Sequence, residues 1–260
     1  MSASASTKSV LIVDAGHGVG PLLADLLAAR GLEVVAWTPD GVGAGDVAKV
    51  RWVSGPDLAA VGAAPFDAVV FNASTLDEGA LLAAGTLADA VAADGAFFLE
   101  TLQTAARAMM EAGRGQIWVL GFDDSFAYYL PIPIAPVTHH VRIGAVRALA
   151  KELSRFGVAA NAAVLQPAPE ATDPSIWPEA RAGLASYAQK FKTVSLASIA
   201  DTLAFWLRSE APPLNGSGRC QSNANLSPLN APWARWSNLS RRATATQPGR
   251  LSVGSCSRLG

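Results

Sequence analysis

A chain of 260 residues with a formal net charge of −1 has no general electrostatic pull toward nucleic acid or an anionic membrane surface, so neither is expected as a partner. Apolar residues make up 50% of it and charged ones 16%, enough for one large core in a single α/β unit. Its apolar runs, such as Val10 to Val13 and Ala68 to Phe71, fall far short of the roughly 20 residues that span a bilayer, and Met1 to Ser9 shows no signal-peptide pattern.

The β-branched run Val10-Leu11-Ile12-Val13 predicts a strand that stops at a glycine cluster. Leu22, Leu23, Leu26 and Leu27 follow at helical spacing, and Gly31 ends that helix. Glu33 to Trp37 predicts a second strand, broken at Thr38-Pro39-Asp40-Gly41, which completes a βαβ unit. A weak strand at Val50 to Val53, a helix around Asp57 to Ala63 and a strand at Phe66 to Phe71 come next. A long helix is predicted from Leu87 to Ala112, closed by Gly113 and Gly115, then a strand at Gln116 to Leu120 and a loop from Gly121 to Pro136. The remaining predictions are a helix over Thr138 to Phe156, a strand over Val158 to Leu165, an irregular loop from Pro167 to Pro178, and helices at Glu179 to Lys190 and Leu196 to Arg208. Strands alternating with helices imply a doubly wound parallel sheet with helices on both faces.

The chain divides into a flexible start at residues 1–8, an α/β body at 9–218 and a basic extension at 219–260. From Arg219 onward there are six Arg and no Lys, Asp or Glu, with much Ser, Asn and Pro, which reads as a solvated extension. Cys220 and Cys256 lack metal-ligand spacing, so neither a metal nor a structural disulfide is expected, and the cytoplasm is the default location.

The first βα turn reads Val13-Asp14-Ala15-Gly16-His17-Gly18-Val19-Gly20. Glycines between a strand and a helix let the backbone turn sharply and approach a pyrophosphate, while the helix start supplies amide donors. The turn alone is compatible with a dinucleotide site or with a tight turn that holds no ligand. His17 inside it is either a phosphate ligand or a polar turn residue.

The order of motifs resembles the short-chain dehydrogenase/reductase family, a group with a Rossmann-type fold. Gly18 and Gly20 match the end of its Thr-Gly-x-x-x-Gly-x-Gly pattern, with Val13 and Asp14 where Thr and Gly stand in the family. A β-carbon at a site needing positive φ strains the backbone, and a carboxylate there repels pyrophosphate. Phe71-Asn72-Ala73-Ser74 resembles the family's Asn-Asn-Ala-Gly, Val91 to Phe98 the start of its long helix, Gly144 to Leu153 the helix carrying its catalytic Lys, and Gly157 to Ala162 with Pro167 its sixth strand. These motifs span roughly residues 8 to 216.

The resemblance implies NAD or NADP as cofactor, contacted by Gly16, Gly18, Val19, Gly20, Thr38, Asn72 and Ala73. Trp37-Thr38-Pro39 at the end of the second strand offers neither an acidic residue for a ribose nor an Arg for a 2′-phosphate, with Asp40 just beyond. It also implies a Tyr acid/base, a Lys that lowers the Tyr pKa, a Ser that orients the carbonyl and an Asn that carries a relay water. Position by position, Asn becomes Ala92, Tyr becomes His139, Lys becomes Ile143, and the Ser position falls on Phe122 or near Ser125. A shift of one places Thr138 and Arg142 at the Tyr and Lys positions, which keeps a cation but offers a weakly acidic hydroxyl.

Three readings stay open. The first is a non-catalytic family member that pairs with like subunits, in homo- or hetero-oligomers, through helices 87–112 and 138–156. The second is a diverged NAD(P)-dependent oxidoreductase using His139 with Ser125 or with Tyr128 or Tyr129 on the preceding loop. The third is a module that binds a dinucleotide or metabolite without chemistry. Asp123-Asp124 reads as a solvated turn or a helix cap, and Trp177 and Tyr187 fall where the family places its substrate lid, although aromatic residues at helical spacing are usually core.

Overall fold

The computed structural model describes residues 7–41, 49–61, 65–74, 87–122, 136–165, 195–208 and 216–219. β1 (Ser9–Val13) runs into α1 (Gly20–Ala29), followed by β2 (Glu33–Thr38), β3 (Val50–Ser54) and a 3₁₀ turn at Leu58–Val61. β4 (Ala68–Phe71), α2 (Leu87–Ala112), β5 (Gly115–Phe122), α3 (Pro136–Leu153), a 3₁₀ turn at Ser154–Phe156 and β6 (Val158–Leu165) come next. α4 (Leu196–Arg208) and β7 (Gly216–Arg219) complete the described elements.

All seven strands are parallel, in the order β3-β2-β1-β4-β5-β6-β7. This is the doubly wound Rossmann order, in which the chain reverses its direction of travel across the sheet between β1 and β4. A crevice therefore opens at the carboxyl ends of those two strands, where the glycine turn and Asn72 lie.

Alternation along β1 divides the core into two layers. Val10 and Ile12 face one side, against Leu23 and Leu27 of α1 and Ile199, Leu203 and Leu207 of α4. Leu11 and Val13 face the other, against Phe98, Leu102 and Met109 of α2 and Val146 and Leu153 of α3. Each large side chain buried in this way stabilises the fold by about 1.5–3 kcal/mol relative to exposure, and the strands, covered on both faces, need no polar alternation.

Four expectations change. The described part of the segment around Asp57 to Ala63 is a single 3₁₀ turn, not an α-helix. Gly121 and Phe122, expected in a loop, continue β5 because β6 pairs with them at Val164 and Leu165. Pro136 opens α3, and Ser154–Phe156 leaves it as a 3₁₀ turn that closes at Gly157 in the left-handed region, φ 72°. β7, with no β-branched residue, was not expected; it pairs with β6 from Asn161 to Val164 and reaches Arg219, the first residue of the expected extension. The expected loop and helix at 167–190, and the rest of the basic extension, lie outside the described residues.

Candidate functional site

The glycine turn is held from three sides. Asp14 sits in the left-handed region at φ 58°, the conformation in which the family pattern has glycine. Gly18 is also left-handed at φ 51°. A β-carbon on Gly20 would lie 2.5 Å from the Ala15 carbonyl oxygen, so helix and turn can close on each other only with glycine there. The Ala15 amide donates to the Trp37 carbonyl at 2.9 Å, and the Gly20 amide to the His17 carbonyl at 2.9 Å.

α1 begins at Val19 without a side-chain cap and has no acidic residue in its first turn. Such a start leaves the positive end of the helix dipole without a capping side chain, while the Gly20 amide is taken by the His17 carbonyl and Pro21 has no N–H to offer. The Asp14 carboxyl counters this locally. Burial pushes it above its ordinary value of 3.8, against the pull of His17 and Arg142, and Asp40 and Asp94 add to the rise. His17 closes the turn toward β2: its Nε2 lies 2.8 Å from Asp40 Oδ2 and 3.9 Å from Asp14 Oδ1.

Asn72, fully buried at the end of β4, ties the crevice together. Its Nδ2 donates to the carbonyls of Asp14, at 2.9 Å, and His17, at 2.8 Å, while its Oδ1 accepts from the Ala73 amide at 2.9 Å. The expected cofactor contact Asn72 therefore spends its side chain on the turn itself. Thr38 is likewise turned inward: its side chain is buried, and its carbonyl accepts from the Gly41 and Gly55 amides at 3.3 Å.

At the other end of the crevice, Ala92 is exposed, Ile143 is half-buried against the apolar layer, and His139 is 1% exposed. The His139 Nδ1 accepts from the Phe122 amide at 3.3 Å, and its Nε2 finds no hydrogen-bond partner among the described residues. Burial lowers its pKa from 6.5 to about 3, with Arg142 and His140 acting the same way and the Ser74 backbone opposing them. The ring is neutral at neutral pH, a weak base and not an acid.

The inner face of α3 carries Thr138, His139, Arg142 and Val146. Among the described residues, Arg142 brings a cation to the crevice, and its hydrogen bonds go to protein acceptors. Nε donates to Asp94 Oδ2 at 3.1 Å, Nη2 to Asp94 Oδ1 at 2.6 Å, and Nη1 to the Asn72 carbonyl at 3.1 Å. Its guanidinium also lies 5.2 Å from the centre of the Phe98 ring. Ser74 Oγ donates to Asp94 Oδ1 at 3.2 Å. Asp94 lies within Val91 to Phe98, the stretch that resembles the start of the family's long helix, and an acid in an otherwise apolar run is the one sequence signal that singles it out.

Ser125, Tyr128, Tyr129, Asp123, Asp124, Trp177, Tyr187 and both cysteines lie outside the described residues. Among the described residues no group of three or more His, Cys, Asp and Glu could hold a metal, and no helix is long and apolar enough to cross a membrane.

No family model matches the sequence, and no curated protein is significantly similar to it. Solved structures share the fold. An oxidoreductase of the short-chain dehydrogenase/reductase family from Burkholderia thailandensis has a TM-score of 0.64 at 21% identity, covering 82% of this chain and 90% of that one. A protein from Beutenbergia cavernae, named as an NAD(P)-dependent gluconate 5-dehydrogenase and holding NADP at low occupancy, has a TM-score of 0.66 at 19% identity, covering 81% and 93%. A short chain dehydrogenase from Leptospira borgpetersenii with bound NAD+ has a TM-score of 0.64 at 13% identity, covering 85% and 94%. At these identities the likeness establishes the fold.

Proposed function

We propose that this chain is a cytoplasmic member of the short-chain dehydrogenase/reductase family that keeps a dinucleotide turn for NAD or NADP and performs no standard hydride transfer. Its role is that of a non-catalytic subunit, associating with like subunits through the faces of α2 and α3. The observation that carries the reading is the fate of the crevice's cation. Hydride transfer with proton exchange needs a phenol brought from a pKa near 10 toward neutrality, and that shift needs a neighbouring positive charge. Position 143 is a hydrocarbon, the imidazole at 139 is neutral, and the Arg142 guanidinium is committed to Asp94 and Asn72.

The phosphate end supports retention of the dinucleotide. The uncapped start of α1 would face a diphosphate with the positive end of its dipole, beside the turn residues Gly18 and Val19, and the first turn of the helix brings no repelling acid. When bound, such a cofactor supplies a hydride carrier; the residues described at the opposite end do not fit the proton exchange that goes with it. For association, Leu99 on α2 and Val141 on α3 are exposed at 40% and 41%, so each of the two helices presents an apolar side chain outward.

The test is purified protein mixed with NADH or NADPH and a panel of ketones, and with NAD or NADP and the matching alcohols. The expected result is saturable dinucleotide fluorescence without turnover above buffer. Turnover that His139→Ala abolishes would replace this reading with that of a diverged oxidoreductase. Co-purification with a complete family member would identify the partner.

A further inference from the structure

We infer that Asp94 and Arg142 are positioning residues for the glycine turn: a buried ion pair between α2 and α3 sets the turn's geometry through Asn72, and with it the affinity for a dinucleotide diphosphate. The affinity clause rests on the reading of the turn as a dinucleotide site; the geometric clause does not.

The connection is a continuous run of hydrogen bonds. Asp94 takes both arms of the Arg142 fork, a geometry that fixes the guanidinium plane. The third arm, Nη1, holds the Asn72 carbonyl at 3.1 Å, and the Asn72 amide is tied to the Val13 carbonyl at 3.1 Å. The backbone of Asn72 is thus held at both of its polar groups. From that fixed point a single carboxamide reaches the carbonyls of Asp14 and His17, the two residues that flank Ala15 and Gly16 in the turn. Release of the carbonyl by Arg142 lets Asn72 shift, and two bonds to the turn move with it.

The side-chain burial favours positioning over plain stabilisation. Arg142 and Asp94 side chains are 4% and 16% exposed. A pair so buried contributes little net stability compared with apolar residues of like volume, because desolvation offsets attraction. What an apolar pair cannot do is hold a backbone carbonyl. Replacing both charges should therefore spare the fold and loosen the turn, a combination that a merely structural role does not produce.

The experiment uses the full chain and four proteins: wild type, Arg142→Lys, Arg142→Met and the double variant Asp94→Ala/Arg142→Met. Native-state hydrogen exchange is followed at two amides of the turn, Ala15, bonded to the Trp37 carbonyl of β2, and Gly20, bonded to the His17 carbonyl, and at Leu203 inside α4 as the reference for global opening. NADH titration runs in parallel. A lysine keeps a cation beside Asp94 but lacks the fork, so Arg142→Lys is expected to raise exchange at the turn about tenfold relative to Leu203, the equivalent of one hydrogen bond involving a charged group. The double variant should show the same excess at the turn, with NADH binding weakened by a similar factor. Turn amides that keep pace with Leu203 in both variants would overturn the inference. Should Arg142→Met fail to fold, the other two variants decide the matter. Absence of NADH binding to wild type would sink the dinucleotide reading alone, because the exchange comparison still reports on the turn.

Discussion

Protonation of His139 offers the sharpest quantitative check on the site. The imidazole is buried between β5 and α3, with Phe122 donating to Nδ1 and Arg142 adding positive charge nearby. Its proton therefore sits on Nε2, and a second proton on Nδ1 would oppose the Phe122 N–H. The folded pKa falls from 6.5 to about 3. Between these values the unfolded chain binds a proton that the folded chain refuses, so stability is complete above pH 6.5 and falls as pH drops toward the folded pKa. Two pH units below the unfolded value, near pH 4.5, the loss is about 3 kcal/mol at about 1.4 kcal/mol per unit. The assay is urea denaturation at pH 7 and pH 4.5 for wild type and His139→Gln. Glutamine does not titrate, so the variant should lose about 3 kcal/mol less than wild type over this interval. Contributions from Asp14 and Asp25, whose burial raises their pKa, are shared by both proteins to first order and drop out of the comparison. Equal losses in the two proteins would refute the buried neutral imidazole.

Three further outcomes follow from backbone geometry. Asp14→Gly removes a β-carbon from a left-handed position and a carboxylate from the turn, so it should stabilise the fold by about 1 kcal/mol in urea denaturation and tighten NADH binding. Gly20→Ala would press a β-carbon against the Ala15 carbonyl, costing about 1–3 kcal/mol and lowering the melting temperature. Gly95→Ala is the contrasting case: among the described residues nothing lies within 4 Å of the new methyl, and the helix gains, so a rise of up to about 1 kcal/mol is expected in the same melt.

Local periodicity made much of the fold legible. α2 over Leu87–Ala112, β6 over Val158–Leu165 and α4 over Leu196–Arg208 keep the bounds read from pattern alone, because long apolar repeats meet firm stops. Gly113 and Gly157 are such stops, left-handed at φ 65° and 72°. The misses occur where a partner strand decides the conformation. Gly121 and Phe122 look like the start of a loop until β6 pairs with them, and Gly216–Arg219 carries no strand signal of its own.

The site was legible only where its constraint is local. A motif with glycine at position 14 foretold a conformation hostile to a β-carbon, and Asp14 adopts it at φ 58°. The Asp94–Arg142 pair spans 48 residues and has no spacing to betray it. Its consequence turns on a single helical step. Adjacent residues on a helix differ by about 100° in direction, so a cation at 142 faces Asp94 and Asn72 while 143 lies half-buried against the apolar layer. Recruiting Arg142 to a ligand would leave Asp94 buried without its counter-charge, a cost of about 3–5 kcal/mol. Under the proposed function, that cost is what keeps Arg142 from taking the place of a lysine beside a ligand.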